Sequence, residues 1–244
     1  MQRYFLDGPL EDSTSAVLLD KEAAHHAVKV MRGAPGDEMI VCFSSGCWHA
    51  VLAETDPATV HLLQQEKETN EMPIRVTIAH GLPKADKLEM VLQKGTELGA
   101  ASFLPFAAER SVVKWNKQKG EKKVERWRKI VKEAAEQSHR HTLPSVHEPC
   151  SFSSLLDQCS QFDVVITAYE ETAKQGERGL LKRRFEDILP GASVLFIVGP
   201  EGGFSEQEAA SLKNAGILCS LGPRILRTET APLAFLSAVS FYFE

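Results

Sequence analysis

The sequence predicts an α/β protein, a parallel sheet covered by helices and preceded by a small β-barrel. Three observations predict it. From residue 74 onward, apolar stretches such as "IRVTIAH" and "VLFIVG" alternate with helical patterns, as in a parallel sheet buried on both faces. Residues 1–70 instead carry short strands divided by turn residues, with one helical piece among them. Between the two lies "QQEKETNEMP" (64–73), polar, charged and closed by proline, which reads as a linker. The expected domains are therefore 1–70 and 74–244.

In the first half the strands are "RYFL", "SAVLL", "EMIVCF", "WHAVLAE" and "TVHLL", with turns at Gly36-Asp37 and Ser45-Gly46. The helical piece "KEAAHHAVKVMR" ends before Gly33. In the second half, "IRVTIAHGL" is a buried-type strand and "ADKLEMVLQKGTELG" a helix stopped at Gly99. The strand "SFLPFAA" follows, then a long helix over 121–139 with Val124, Trp127, Val131, Ala134 and Ser138 spaced three and four apart. Next come "FDVVITAY", a charged helix near 177–188, "SVLFIVG", a helix "SEQEAASLKNAG" capped by Ser205, the short strand "LCSLG" and a last helix. That helix, "APLAFLSAVSFYFE", is apolar nearly all round, so it must be buried in the core or against another subunit.

Composition narrows the function. No stretch is apolar for long enough to span a membrane, and "MQRYFLDGPLED" lacks the apolar run of a signal peptide, so a cytoplasmic location is expected. Five cysteines contain no C-x-x-C pair, which argues against a disulfide framework and a structural zinc site. The histidines at 25–26 and 139–141 lack the i,i+4 spacing of two metal ligands on a helix, so no metal is expected. The net charge of −5 is unevenly spread. Segment 114–129 holds eight basic and two acidic residues, a local +6 that leaves −11 for the rest of the chain. A basic segment on an acidic body suits docking onto one polyanionic site, although a solvated helix face would read the same way.

Two stretches carry chemistry. "VLFIVGPEGGFSEQE" puts a glycine-rich turn at the carboxyl end of an apolar strand, where ligands of parallel sheets bind. It lacks the Lys-Ser/Thr of a P-loop and the spacing of a dinucleotide fingerprint, and Glu201 would repel a phosphate. A cationic or uncharged ligand fits it better. In "LGPRILRTETAPLAFL" (221–236), Thr228 or Thr230 is suited to cap the last helix and Glu229 to sit at its positive end. Arg224 and Arg227 are unsuited to that end and point to an anion or a polar substrate.

Together, "GPEGGFS" and "LGPRILRTETA" closely resemble the RsmE-type methyltransferases of the SPOUT superfamily, which methylate uridine N3 in small-subunit ribosomal RNA. "GTELG" (95–99), "ERSVV" (109–113), "EAAEQSHR" (133–140) and "HHAVKVMR" extend the resemblance over the whole chain. It implies a PUA-like RNA-binding barrel, then a domain with a deep trefoil knot whose loops hold S-adenosylmethionine. On the resemblance, Val198, Gly199, Pro200, Gly202, Gly203 and Gly222 give close backbone approach. Leu221, Ile225 and Leu226 bracket the adenine, Ala168 and Glu170 form a third wall, and Thr228 and Ala231 complete the pocket. Glu170, Glu201 and Glu229 add negative charge that suits a sulfonium. The resemblance also implies a homodimer.

Uracil N3 becomes nucleophilic only when its proton leaves, so the reaction needs a donor for charge spreading to O2 and O4. Arg227 is the first candidate, Arg224 the second, and Glu229 a possible base. Candidates for 16S ribosomal RNA are Arg3, His26, Arg32, Lys84, Lys94, Arg110 and Arg140. Rival readings are a 2′-O-ribose RNA methyltransferase of the same superfamily and a non-catalytic RNA-binding protein. A nucleotide-dependent oxidoreductase would need a fingerprint that the sequence lacks.

Overall fold

A computed structural model describes every residue except 11–14, 113–114, 116 and 172–178, together with the backbone but not the side chains of 117–119. Lys114, Lys117 and Lys119 of the basic segment thus lie outside the described side chains. The chain divides into two compact units, 1–71 with 135–143, and 72–134 with 144–244.

In the first unit β1 (Gln2–Phe5), β2 (Ala16–Leu18), β3 (Glu38–Phe43), β4 (Gly46–Thr55) and β5 (Ala58–Gln65) form one sheet in the order β1-β3-β4-β5-β2. Among these described strands only β1 and β3 pair in parallel, and the other pairs are antiparallel. Helix α1 (Lys21–Ala24) is capped by Asp20, whose carboxylate accepts the Ala23 N–H at 2.8 Å, and it runs into a π-helical turn, His25–Val30. Tyr4, Val41, Ala50, Leu52 and Val60 fill the core of this unit. Cys42 and Cys47 face each other across the β3–β4 pair and are joined by a disulfide. This corrects the expectation from cysteine spacing, because a tight hairpin, not a C-x-x-C motif, brings the two sulfurs together.

In the second unit all described strand pairs are parallel. The order is β12 (Ile217–Cys219), β10 (Val164–Ala168), β11 (Ser193–Val198), β6 (Arg75–Gly81), β7 (Ser102–Ala107), β8 (Ser145–Val146), with β9 (Cys150–Ser151) also on β7. The helices among the described residues are α2 (Lys87–Glu97), α3 (Lys117–Gln137, whose residues from 135 on belong to the first unit), α4 (Phe152–Cys159), α5 (Leu180–Glu186), α6 (Glu206–Ala215) and α7 (Thr230–Phe243). Two apolar clusters lie on the two faces of this sheet, because alternate residues of one strand point to opposite sides. Ile78 and Phe196 join α2, α3 and α7 in the larger cluster, while Ala79 and Ile197 join α4 and α6 in the other. Phe235 of α7 stacks on Phe196 with ring centroids 3.8 Å apart. Among the described residues no helix is long and apolar enough to cross a membrane.

Candidate active site

The carboxyl ends of β6, β10, β11 and β12 lie side by side in the sheet. The loops that follow three of them, 199–204 after β11, 220–228 after β12 and 169–171 after β10, line a cleft of about 1050 Å³. Lys87 at the start of α2 and Arg110 after β7 complete it.

The β11 loop is built for close approach. Gly81, ending β6, abuts Pro200, and a Cβ there would stand 2.5 Å from the proline ring, so the strand end and the loop touch only because the residue is glycine. Gly203 adopts φ +65 and leads into α6, whose first turn is closed by a capping box. Ser205 Oγ accepts the Glu208 N–H at 3.3 Å and Glu208 Oε2 accepts the Ser205 N–H at 3.0 Å. The other Glu208 oxygen accepts the Glu109 N–H at 2.8 Å, and Arg110 Nη1 donates to the Gly202 carbonyl at 3.2 Å. The segment after β7 therefore braces the loop from outside.

A buried set of hydrogen bonds joins the two main loops. Thr228 Oγ1 donates to the Gly199 carbonyl at 2.5 Å. His80, at the end of β6, places its ring nitrogens 2.7 Å from the Gly81 carbonyl and 3.1 Å from that of Thr228. Burial pushes the His80 imidazole below its ordinary range, so near pH 7 it is neutral and donates to one of these two carbonyls. Sequence reasoning missed His80; its signal was a polar residue at the end of an otherwise apolar strand.

Every residue that the sequence assigned to a cofactor lines this cleft: Ala168, Glu170, Val198, Gly199, Pro200, Gly202, Gly203, Leu221, Gly222, Ile225, Leu226, Thr228 and Ala231. Ala168, Leu221 and Leu226 pack on the core beneath it, whereas Ile225 is 71% exposed. Arg224 and Arg227 line it too, exposed and with no side-chain partner among the described residues. Glu229 does not line it. This residue is 8% exposed and pairs with Lys87 at 3.4 Å, which argues against the base suggested from sequence. Neither threonine caps α7: Glu229 occupies the cap position without a side-chain cap bond, and the Thr228 hydroxyl is committed to Gly199.

The residues expected to meet RNA separate into three groups. Lys84, Lys94, Arg110 and Arg32 are exposed. Lys94 pairs with Glu97 at 2.8 Å. Arg3 and Arg140 are corrections: they are 4% and 3% exposed and buried in ion pairs of the first unit. Arg3 donates to Glu66 at 2.8 Å and to the Arg140 carbonyl at 2.8 Å, and Arg140 grips the Glu71 carboxylate with Nε at 2.9 Å from both oxygens. Residue type alone cannot separate a buried arginine from an exposed one. His26 is half-buried, with Nδ1 3.0 Å from the Tyr4 hydroxyl. Burial and the charge of Glu136 push that hydroxyl up to about 12, so it remains a donor.

Comparison with known proteins bears on this geometry. Residues 70–240 match the model of an RNA methyltransferase domain. Over 252 aligned residues the chain is 46% identical to a ribosomal RNA small subunit methyltransferase E of Bacillus subtilis, covering 100% of this chain and 98% of that protein. The crystal structure of a ribosomal RNA small subunit methyltransferase E from Neisseria gonorrhoeae, bound to S-adenosylmethionine, is 30% identical with a TM-score of 0.84, covering 100% of this chain and 98% of that one. A Legionella pneumophila protein solved in complex with S-adenosylmethionine is 28% identical with a TM-score of 0.82, over 98% and 96% of the two chains.

Proposed function

The chain belongs to the ribosomal RNA small subunit methyltransferase E family, and from that premise we propose that it transfers a methyl group from S-adenosylmethionine to N3 of a uridine in 16S ribosomal RNA. The observation that carries this reading is the cleft itself, a glycine-built cradle lined by two exposed arginines that have no side-chain partner among the described residues.

The residues present fit the cofactor. The volume is that of a pocket for a molecule of this size. Gly202, Gly203 and Gly222 let a ligand approach the main chain closely, Leu221 and Leu226 offer an apolar seat for adenine, and Glu170 supplies charge opposite to a sulfonium. When bound, S-adenosylmethionine supplies an electrophilic methyl group on a positively charged sulfur.

The chain's own contribution is orientation and charge. Arg227, with Arg224 beside it, donates hydrogen bonds to the uracil oxygens and favours the form of the base that has lost its N3 proton. A fixed guanidinium is worth most where water is excluded, and a single such donor contributes about 10²- to 10³-fold in rate. Holding the base against the cradle supplies the advantage of proximity. No cysteine is needed, since attack comes from the base nitrogen; Cys219 is buried. His80 and Thr228 keep the two loops at fixed separation and do not touch the base.

The same reading makes the first unit a PUA-like RNA-binding barrel and gives 199–204 and 220–229 the role of knot loops. It places the protein in the cytoplasm as a homodimer, which the exposure of Phe241 and Tyr242 at the end of α7 supports. The test is methylation of small subunits that lack the modification, followed by digestion to nucleosides and mass spectrometry. N3-methyluridine is the expected product. A ribose-methylated nucleoside would transfer the assignment to 2′-O chemistry, and absence of any methylated product would overturn it.

A further inference from the structure

Lys87 is the first residue of α2, a poor place for a cation, because the unpaired N–H groups of a helix start carry partial positive charge. Two carboxylates offset this. Its ammonium lies 3.0 Å from Glu201 Oε1 and 3.4 Å from Glu229 Oε2. Glu201 belongs to the loop after β11 and Glu229 to the start of α7, so one cation on α2 joins the two segments that build the cleft. Glu201 is gripped a second time, accepting the Lys84 main-chain N–H at 3.1 Å. Glu229 is in the opposite position. It is buried, and its Oε2 has no hydrogen bond among the described residues, so its only charge partner there is Lys87.

We propose that Lys87 is a positioning residue of the cofactor cleft, a cationic clamp that holds the 199–204 loop and the start of α7 in register through Glu201 and Glu229. This rests on the reading of the cleft as an S-adenosylmethionine site. The electrostatics agree with it. The Glu201 hydrogen bond leads the effects that raise Lys87 above its ordinary range. Burial works against the Glu201 carboxylate, yet its own backbone N–H, Lys87 and the Lys84 N–H outweigh burial and hold it below the usual carboxylate range. Both partners are therefore charged near neutral pH. Removing the cation leaves the buried Glu229 carboxylate unpaired and takes from Glu201 its tie to α2, and both loops relax away from the geometry that binds the cofactor.

The test is a double-mutant cycle read by calorimetry with S-adenosylmethionine and by kcat/KM with small subunits. Lys87→Met should weaken cofactor binding and lower kcat/KM by about 10- to 100-fold, the size expected when reacting groups shift by about an ångström. Glu201→Gln should weaken binding as well, and the double variant should be no worse than Lys87→Met alone, because both remove one interaction. Lys87→Arg should recover part of the loss, which a general effect on folding would not. The proposal is overturned if Lys87→Met binds like wild type, or if the losses from Lys87→Met and Glu201→Gln simply add. Should Lys87→Met fail to fold, Glu201→Gln with and without Lys87→Arg still closes a cycle. If wild type itself binds no S-adenosylmethionine, the cofactor reading fails instead.

Discussion

At the scale of single residues, the cleft depends on a few groups whose neighbours leave no slack. Thr228 hydrogen-bonds the buried Gly199 carbonyl, so Thr228→Val keeps the shape and strands that oxygen. The expected cost is about 1–3 kcal/mol, read from denaturant unfolding, with weaker S-adenosylmethionine binding alongside. Glu71 gives a pH signature in the first unit. Burial works against its carboxylate, but Arg140 and the N–H groups of Thr142 and His141 outweigh it and lower its pKa from 4.5. A depressed carboxylate contributes stability that is complete above the unfolded value of 4.5 and is lost as pH falls through the lower folded value. Thermal scans over about pH 5 to pH 3 should thus show a steep fall in Tm for wild type and a shallower one for Glu71→Gln, which starts lower because Arg140 is left buried without its partner. A parallel fall in both proteins would remove Glu71 from the account.

At the scale of elements, α6 and α7 hold the two ends of the cleft. The capping box of α6 also engages the segment after β7 through Glu109, so Ser205→Ala should cost about 1 kcal/mol and loosen the loop just before it. Hydrogen exchange of the 202–209 amides checks this, faster exchange being the expected result. On α7, Phe235 is fully buried and stacked on Phe196, and Phe235→Ala should cost about 3–5 kcal/mol by unfolding. Helices and strands of this kind were legible in the sequence, because their apolar periodicity follows from the face they bury. Val124, Trp127 and Val131 are core residues as their spacing predicted. The capping of α7 was not legible. Thr228 and Thr230 are both good caps in isolation, and only the fold brings the Gly199 carbonyl within reach of Thr228.

At the scale of the molecule, the fold class was legible because alternating strands and helices leave few arrangements, and the sheet is parallel throughout its described pairs. The cleft residues were legible through motif resemblance, which named positions that the strand order then brings to one edge of the sheet. Long-range pairing was not. The ion pairs of Arg3 with Glu66 and of Arg140 with Glu71 join residues 63 and 69 positions apart, and nothing local distinguishes those arginines from surface cations. The Lys87 clamp was hidden for the same reason, whereas the disulfide joins cysteines only 5 positions apart and was hidden because their spacing does not reveal the hairpin register. All of these contacts matter less to the central claim than one physical requirement, that the loop at 199–203 stay open for a ligand. A Cβ on Gly202 would stand 2.9 Å from the Arg110 Cβ, so a large side chain there must displace Arg110 or fill the cradle. Calorimetry of wild type and Gly202→Arg with S-adenosylmethionine tests the claim most directly. The account predicts binding by wild type at one site per chain and none by the variant, with both proteins folded. Equal binding by the two would place the cofactor elsewhere, and no binding by folded wild type would contradict the cleft's assignment altogether.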